Sequence, residues 1–482
     1  MDMLKNKKIK SAFLILSLIL PVAIFAFTAW NTHGWDDEFF SIKWLELDEP
    51  FLTLINRINH NDTQPIGMYV FDLFFYKIFN NWSAVRLSGA IIVAFSLWLY
   101  WFLTHKKESY ANKFLSYILL CLNPSLLLWC TGLRWYTWLM PLICFLGILI
   151  NKSKENFSEN GKIKFWACYF FVSILMFHIV YYSAVLILAS FLCICYERRK
   201  FLISELKIIL SFGILSLILI SYQAYFFFTV HYPNGSNVLN SSIFQCFLYA
   251  GQYFLSGAAL IPVSFFGILS ITAGIILFFV FIINSIKIIK SCSSKFFILS
   301  YLMSIFLKLG LAARYYINYS VQQADLMAES YSFIKNKYLK ILIISMYFIS
   351  NAGGIYNVMT HQNTAKTSWD TPYNEIINKI SQIDNSKQIK ILTSNPVLEW
   401  HLKKSGFNAV DILDVGKFEA PSIAVKTFQG SLSDEKYQEY CAYIENSNIK
   451  MKINIGNDKY SWFKRKFNNN YPDYYAQIFL ID

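Results

Sequence analysis

The stretch HGWDDEFFSIKWLELDEP, residues 33–50, decides how this chain is read. It follows an apolar run, residues 11–30, long enough to cross a membrane, and it carries Asp36, Asp37 and Glu38 near its start. Each carboxylate would cost about 2.5–3.5 kcal/mol at the centre of a bilayer, so the trio belongs at an interface. Phe39, Phe40, Ile42, Trp44 and Leu45 come next. Such residues suit a helix lying in the plane of the lipid headgroups.

Composition extends the membrane reading to the whole chain. The 482 residues are 55% hydrophobic and 18% aromatic but only 15% charged, and the mean hydropathy is +0.39. A composition of this kind, spread over many long apolar runs, belongs to a polytopic membrane protein. Lys5, Lys7, Lys8 and Lys10 precede the first run and no small-residue cleavage site ends it, so it reads as an anchor. The formal charge of +13 is gathered into short clusters between apolar runs, such as Lys106 with Lys107, Arg198–Lys200, Lys287 with Lys290 and Lys335–Lys340. Loops of this kind face the cytoplasm under the positive-inside rule, and no nucleic-acid partner is expected.

Length and loop charge give about eleven spans: 11–30, 84–104, 114–130, 133–150, 164–177, 179–196, 206–228, 260–286, 296–312, 313–334 and 339–354. An odd number leaves the N-terminus in the cytoplasm and the C-terminus outside. The membrane part is expected over 1–358, with a first extracytoplasmic loop at 31–83. In that loop 37–47 and PIGMYVFDLFFYKIF, residues 65–79, read as in-plane juxtamembrane helices, because the latter is too short to span once Asp72 and Lys77 are counted. Residues 359–482 alternate helix-like PYNEIINKISQI, PVLEWHLKKSG and SDEKYQEYCAYIENS with strand-like QIKILT, SIAVKTF and IKMKINI, as a small extracytoplasmic α/β domain would. The nine cysteines have no metal-ligand spacing, and most sit inside spans as small apolar residues. There is no Gly-rich phosphate loop, zinc motif or repeat.

Two kinds of residue carry candidate chemistry. Acidic side chains on an in-plane helix stand where a lipid-linked substrate presents its headgroup, and one of them can take a proton from an attacking hydroxyl. Arg86, Arg134 in WCTGLRWY and Arg314 in LAARYYINY lie at the predicted outer ends of spans. Snorkelling to headgroups is the plain reading of each; converging, they form bidentate sites for a phosphate.

These residues resemble the C-type (GT-C fold) glycosyltransferases that use polyprenyl-phosphate sugars, in the branch of the protein O-mannosyltransferases and the lipid A aminoarabinose transferase. Asp37-Glu38 looks like the family's Asp-Glu pair, and NDTQPIGMY, residues 61–69, like its His-Pro-Pro-Leu segment. AVRLSGAI, residues 84–91, LRWYTWLMP, residues 133–141, and ARYYINY, residues 313–319, look like its Arg-Leu, Arg-x-Tyr and late Arg-Tyr. The resemblance implies an inverting transfer of a sugar from a polyprenyl phosphate, in a bacterium undecaprenyl phosphate, to a glycan, lipid or protein acceptor on the outer side of the cytoplasmic membrane. It makes Asp37 the base with Glu38 beside it, gives the donor phosphate to Arg134, Arg314 and Arg86, and leaves Asp36, Asp62, Gln64, Tyr69, Tyr136, His178 and Tyr315 as candidates to line the cavity. Gln64 and Ile66 depart from the family's His and second Pro, and Gly132 and Leu133 stand where relatives often have an acidic residue. Some relatives bind a divalent ion, but this chain shows no ligand set, so no metal or other cofactor is expected.

Two other readings remain at this point. An oligosaccharide polymerase or ligase using a diphosphate carrier would share the membrane setting. A transporter or flippase would use Gln322, Gln323, Asp325 and Glu329 as a solute path, although no inverted halves accompany them.

Overall fold

The computed structural model describes residues 7–31, 38, 41–42, 45–46, 49–61, 64–104, 110–231, 242–256, 265–289, 292–308, 313–359, 373–427, 435–456 and 474–482. The chain divides into two compact units, Met1–Thr360 and His361–Asp482.

Among the described residues, the regular structure of the first unit is all helix. Its helices are α1 (Lys7–Asn31), α2 (Phe51–Asn61), α3 (Gly67–Phe79), α4 (Trp82–Thr104), α5 (Tyr110–Cys121), α6 (Pro124–Trp129), α7 (Trp135–Lys152) and α8 (Glu159–Ile179). They continue as α9 (Ser183–Glu197), α10 (Leu202–Phe226), α11 (Ile243–Ser256), α12 (Phe265–Ile288), α13 (Cys292–Phe306), α14 (Ser320–Ser332) and α15 (Lys337–Met359). Among the described residues, α4, α7, α8, α10, α12 and α15 are long and apolar enough to span a bilayer, with shorter apolar helices at Leu14–Trp30, Ser183–Glu197 and Ser294–Phe306. This is a multi-pass membrane protein.

Two expected spans take another form, for local reasons. The run 114–130 is interrupted at Asn123-Pro124: proline disfavours helix in the residue before it, and the Asn123 side chain caps α6 by accepting from Leu126 N at 3.1 Å. The run 313–334 is a 3-10 turn, Ala313–Tyr319, followed by the 13-residue α14. Asp325 in α14 accepts from Tyr100 Oη and, at 2.7 Å, from Ser116 Oγ, so it ties α4 and α5 to α14.

Helix α7 is the hub. Its sequence, WYTWLMPLICFLGILINK, is apolar on every side, as a helix surrounded by protein should be, and it packs against α3, α4, α8, α9, α13 and α14. Its crossing with α4 is close because small residues sit at both contacts. A Cβ on Gly89 would stand 2.5 Å from Thr137 Cγ2, and one on Gly147 would stand 2.6 Å from Tyr100 Cε2.

The loop at 31–83 holds the helix expected at 65–79, realised as α3, and a second, α2, that the sequence reading did not separate. Of the stretch expected at 37–47, Glu38, Ser41, Ile42 and Leu45 are helical. The amphipathic α2 buries Leu54, Ile58 and Asn59. It docks on the end of α10 through Gln223 Nε2, which donates to Asn59 Oδ1 at 3.1 Å while Gln223 Oε1 accepts from Tyr181 at 3.0 Å. Asn80 ends α3 in the left-handed conformation, φ 48°, and its N–H donates to the Tyr76 carbonyl. Asn81 then caps α4 by accepting from Ser83 N at 2.8 Å.

At the opposite end of the bundle Arg198, 1% exposed, meets Glu205, 0% exposed. Its Nε donates to Glu205 Oε2 at 2.8 Å, its Nη2 donates to Oε1, and its Nη1 donates to the Ser153 and Glu155 carbonyls at 3.0 and 2.9 Å. Trp166 Nε1 completes the carboxylate at 2.9 Å. The rings of Phe157, Phe165 and Phe201 surround the guanidinium. One arginine thus joins α8, α10 and the segments after α7 and α9.

The second unit is a five-stranded sheet, β1 (Lys390–Thr393), β2 (Ala409–Asp411), β3 (Ser422–Thr427), β4 (Ile449–Gly456) and β5 (Tyr474–Ile481), in the order β2-β1-β3-β5-β4. The first three strands are parallel, whereas β5 runs antiparallel to both β3 and β4. Helices α16 (Tyr373–Ile383), α17 (Pro396–Lys404) and α18 (Glu435–Asn446) complete it. Leu392, Ala424 and Phe479 from the sheet pack with Tyr437, Tyr440 and Ile444 of α18, so the sheet buries an apolar face.

Candidate active site

The site is built around Glu38, which is 2% exposed. A buried carboxylate needs donors and a countercharge, and both come from elements distant in sequence. Glu38 Oε2 accepts from Leu133 N at 3.0 Å and lies 3.3 Å from Nε of Arg86, near the start of α4. The turn between α6 and α7 accommodates the carboxylate because residue 132 has no side chain: a Cβ there would stand 2.7 Å from Glu38 Oε1. Thr137 Oγ1 donates to the Gly132 carbonyl at 2.6 Å and closes the turn. The departure noted at Gly132-Leu133 therefore has a local cause. The Gly leaves room for Glu38, and the backbone N–H of Leu133 holds it.

Arg134 follows directly as the residue preceding α7, half-buried, with Nη1 donating to the buried Ser41 Oγ at 3.4 Å. Ser41 lies three residues beyond Glu38, so these two residues touch both flanks of the 132–134 turn. Glu38, Arg86 and Arg134 are thus brought together from α4, α7 and the segment after α1.

The neighbouring carboxyl was not singled out from the sequence. Asp72 on α3 is 0% exposed, and its Oδ1 accepts from Trp138 Nε1 at 2.8 Å. Trp138 stands one turn after Arg134 on α7 and stacks on Phe71 and Phe75 at 5.3 and 5.2 Å between centroids. Burial raises the Asp72 pKa to about 7; the Trp138 hydrogen bond opposes this, Glu38 adds to it and Arg134 reduces it.

The other expected site residues divide as follows. Tyr69 and Tyr136 are buried, Tyr136 beside the rings of Trp129 and Trp135. Gln64 is half-buried. His178 ends α8 with Nδ1 on the Ile174 carbonyl at 2.8 Å, and its own carbonyl lies where a Cβ on Gly67 would be, at 2.4 Å, so α3 begins against the end of α8. The backbone of Arg314 and Tyr315 lies in the 3-10 turn that packs on α6, α7 and α11. Their side chains lie outside the described residues, as do Asp36, Asp37 and Asp62.

Neutral hydroxyl groups anchor that 3-10 turn. Tyr319 Oη meets Tyr182 Oη at 3.1 Å and also Ser304 Oγ; Tyr182 donates to Ser304 at 3.1 Å. Tyr316 donates to the Cys246 carbonyl at 3.1 Å. Between α8, α9 and α10 runs an apolar cavity of about 450 Å³, lined by residues that include Phe170, Phe177, Leu188, Phe191, Ile214 and Leu217. Among the described residues no group of three His, Cys, Asp or Glu side chains is placed to hold a metal ion.

No family model and no curated protein matches the sequence. The fold is that of a solved protein. ArnT from Cupriavidus metallidurans in the apo state superposes with a TM-score of 0.54 at 9% identity, covering 98% of each chain. The same protein bound to undecaprenyl phosphate superposes at 0.51, again with 9% identity, over 97% of this chain and 98% of that one. The chain therefore has the ArnT-like GT-C fold of helical membrane domain and small C-terminal α/β unit.

Proposed function

We propose that this protein is a membrane glycosyltransferase that moves a sugar from a polyprenyl phosphate, most simply undecaprenyl phosphate, to an acceptor hydroxyl on the extracytoplasmic face of the cytoplasmic membrane. The observation that carries the reading is the meeting of Glu38, Arg86 and Arg134 at one end of a fold shared with a protein solved with that lipid phosphate bound. A carboxylate paired with one guanidinium, with a second guanidinium on Ser41 of the same segment, is a setting for a phosphate ester. At an effective dielectric near 20, one charge pair at 4 Å is worth about 4 kcal/mol, enough to hold the donor and to stabilise phosphate as it departs. The apolar cavity between α8, α9 and α10 adds room for a lipid chain within the spans.

In the proposed step the acceptor oxygen attacks the anomeric carbon as the bond from that carbon to the phosphate oxygen breaks, and the phosphate leaves with the electron pair. Attack opposite the leaving group inverts the anomeric centre. The hydroxyl proton passes to the Asp37 carboxylate, next in sequence to Glu38. Glu38 itself, already committed to Arg86 and Leu133 N, positions the segment. Arg134 and Arg314 hold the phosphate, with Arg86 contributing through Glu38. The positive-inside rule applied to the basic loops supports a cytoplasmic N-terminus and an extracytoplasmic C-terminal unit.

The roles of Asp325 and Glu329 weigh against transport. Asp325 is bound by Tyr100 and Ser116, and Glu329 accepts from Ser294 at 3.3 Å, so both serve as ties between helices. Mass spectrometry of surface glycans and polyprenyl-phosphate sugars in a strain lacking the protein tests the function. An unmodified acceptor together with accumulated donor is the expected result. Unchanged glycans and an unchanged donor pool refute it.

A further inference from the structure

Asp72 has no part in the step above, yet its environment is unusual. It is fully buried and receives one hydrogen bond, from Trp138, while Oδ2 has no partner. A charged carboxylate with an oxygen left bare in the interior is costly, and taking up a proton removes the charge. The raised pKa agrees with that chemistry. The charged groups that act on it are Glu38 and Arg134. Of the other elements packed on α3, α4 contributes Arg86, committed to Glu38, and α8 contributes His178, whose ring nitrogen sits on its own helix. Lys77, on α3 itself, is exposed.

Glu38, Arg86 and Arg134 sum to −1 + 2 = +1, and Asp37 with Arg314, the further pair of the proposed step, adds −1 + 1 and leaves it at +1. We propose that Asp72 is a positioning residue that sets the charge of this site for a lipid phosphodiester: neutral, it leaves the site at +1 to match the single negative charge of the donor, and ionised, it cancels that match. The inference rests on the reading of this site as a phosphate site. It adds a group which controls donor binding without touching the reacting atoms. Arg134 and Trp138 lie one helical turn apart, so the carboxyl acts on the guanidinium both through space and through the α7 turn it holds.

The test uses the full chain in lipid nanodiscs and a polyprenyl methyl phosphate diester, a probe whose single charge is constant between pH 6 and pH 9. Binding by the wild type is expected to weaken about tenfold from pH 6 to pH 8.5. Asp72→Asn, which keeps an oxygen for Trp138 but cannot ionise, is expected to bind at pH 8.5 as the wild type does at pH 6. A wild type without a pH slope overturns the proposal, and it needs no variant to fold. An Asn variant that keeps the wild-type slope, or one that weakens binding equally at both pH values as a purely structural residue would, also overturns it. Failure to bind the diester at pH 6 removes the phosphate site and the proposal together. An intact slope in a protein that transfers no sugar refutes the glycosyltransferase reading and leaves the charge assignment standing.

Discussion

Arg198 and Glu205 give the sharpest test of how the helices are fastened at the end of the bundle away from the site. Deleting one partner leaves the other charged, buried and short of hydrogen bonds. In Glu205→Gln the guanidinium loses its countercharge but keeps its bonds to the Ser153 and Glu155 carbonyls. In Arg198→Met the carboxylate keeps only the Trp166 donor. Each single change is expected to cost about 3–5 kcal/mol, the usual penalty for breaking a buried pair. The double change Arg198→Met/Glu205→Leu removes both charges and fills the pocket among Phe157, Phe165 and Phe201 with apolar volume. It is expected to cost about 1–3 kcal/mol, chiefly from the orphaned Trp166 N–H, and so less than either single change. Thermal unfolding of the purified protein in detergent, followed by fluorescence size-exclusion, reads the order: wild type, then double, then the singles, several degrees apart. A double variant as unstable as the sum of the singles would mean that the charges themselves hold these helices. Single variants within 1 kcal/mol of wild type would refute the burial argument altogether.

The remaining predictions concern the site. Asp37→Asn should abolish sugar transfer while the protein still binds undecaprenyl phosphate, measured by turnover and lipid binding side by side; a variant that still turns over excludes Asp37 as the base. Gly132→Ala drives a methyl into Glu38 Oε1 and should lower kcat at least tenfold with the protein still folded, whereas normal turnover would show that the Glu38 contacts are dispensable. Gly67→Ala meets the His178 backbone, which cannot rotate away, and should cost about 1–3 kcal/mol of stability by forcing α3 off α8; an unchanged unfolding temperature contradicts this. Because the folded pKa of Asp72 is raised from 3.8 to about 7, its favourable contribution is complete below pH 3.8 and fades as pH rises through 7. Asp72→Asn should therefore gain about 2 kcal/mol over wild type between pH 5 and pH 7 and little more above it, and a constant difference in unfolding temperature between pH 5 and pH 7 would contradict it.

Much of the membrane architecture was legible because long apolar runs and lysine clusters are one-dimensional signals. The interruption at Asn123-Pro124 was also written in the chain, but summed length over 114–130 outweighed it. The run 313–334 was read as a span from its length although it carries Gln322, Gln323, Asp325 and Glu329; in the structure all four are buried or tied to hydroxyls of other helices. In the C-terminal unit, the strand-like stretches QIKILT, SIAVKTF and IKMKINI appear as β1, β3 and β4, while β2 is too short, at three residues, to make a period. At the site, Glu38, Arg86 and Arg134 could be proposed from type and position. Asp72 could not, because on a sequence it is merely a charge that shortens an apolar run. Its significance comes from burial beside Trp138, a residue 66 positions away. The reason for glycine at 132 is likewise invisible until Glu38 lies against it.

The mooring of the 3-10 turn Ala313–Tyr319 has a consequence for how the protein tolerates its surroundings. The ties described there, Tyr182 to Ser304, Tyr319 to both, and Tyr316 to a carbonyl, join uncharged partners. Neither ionic strength nor the electrical potential across a membrane exerts force on such contacts. The stretch of chain bearing Arg314 is accordingly moored by groups indifferent to electrolyte.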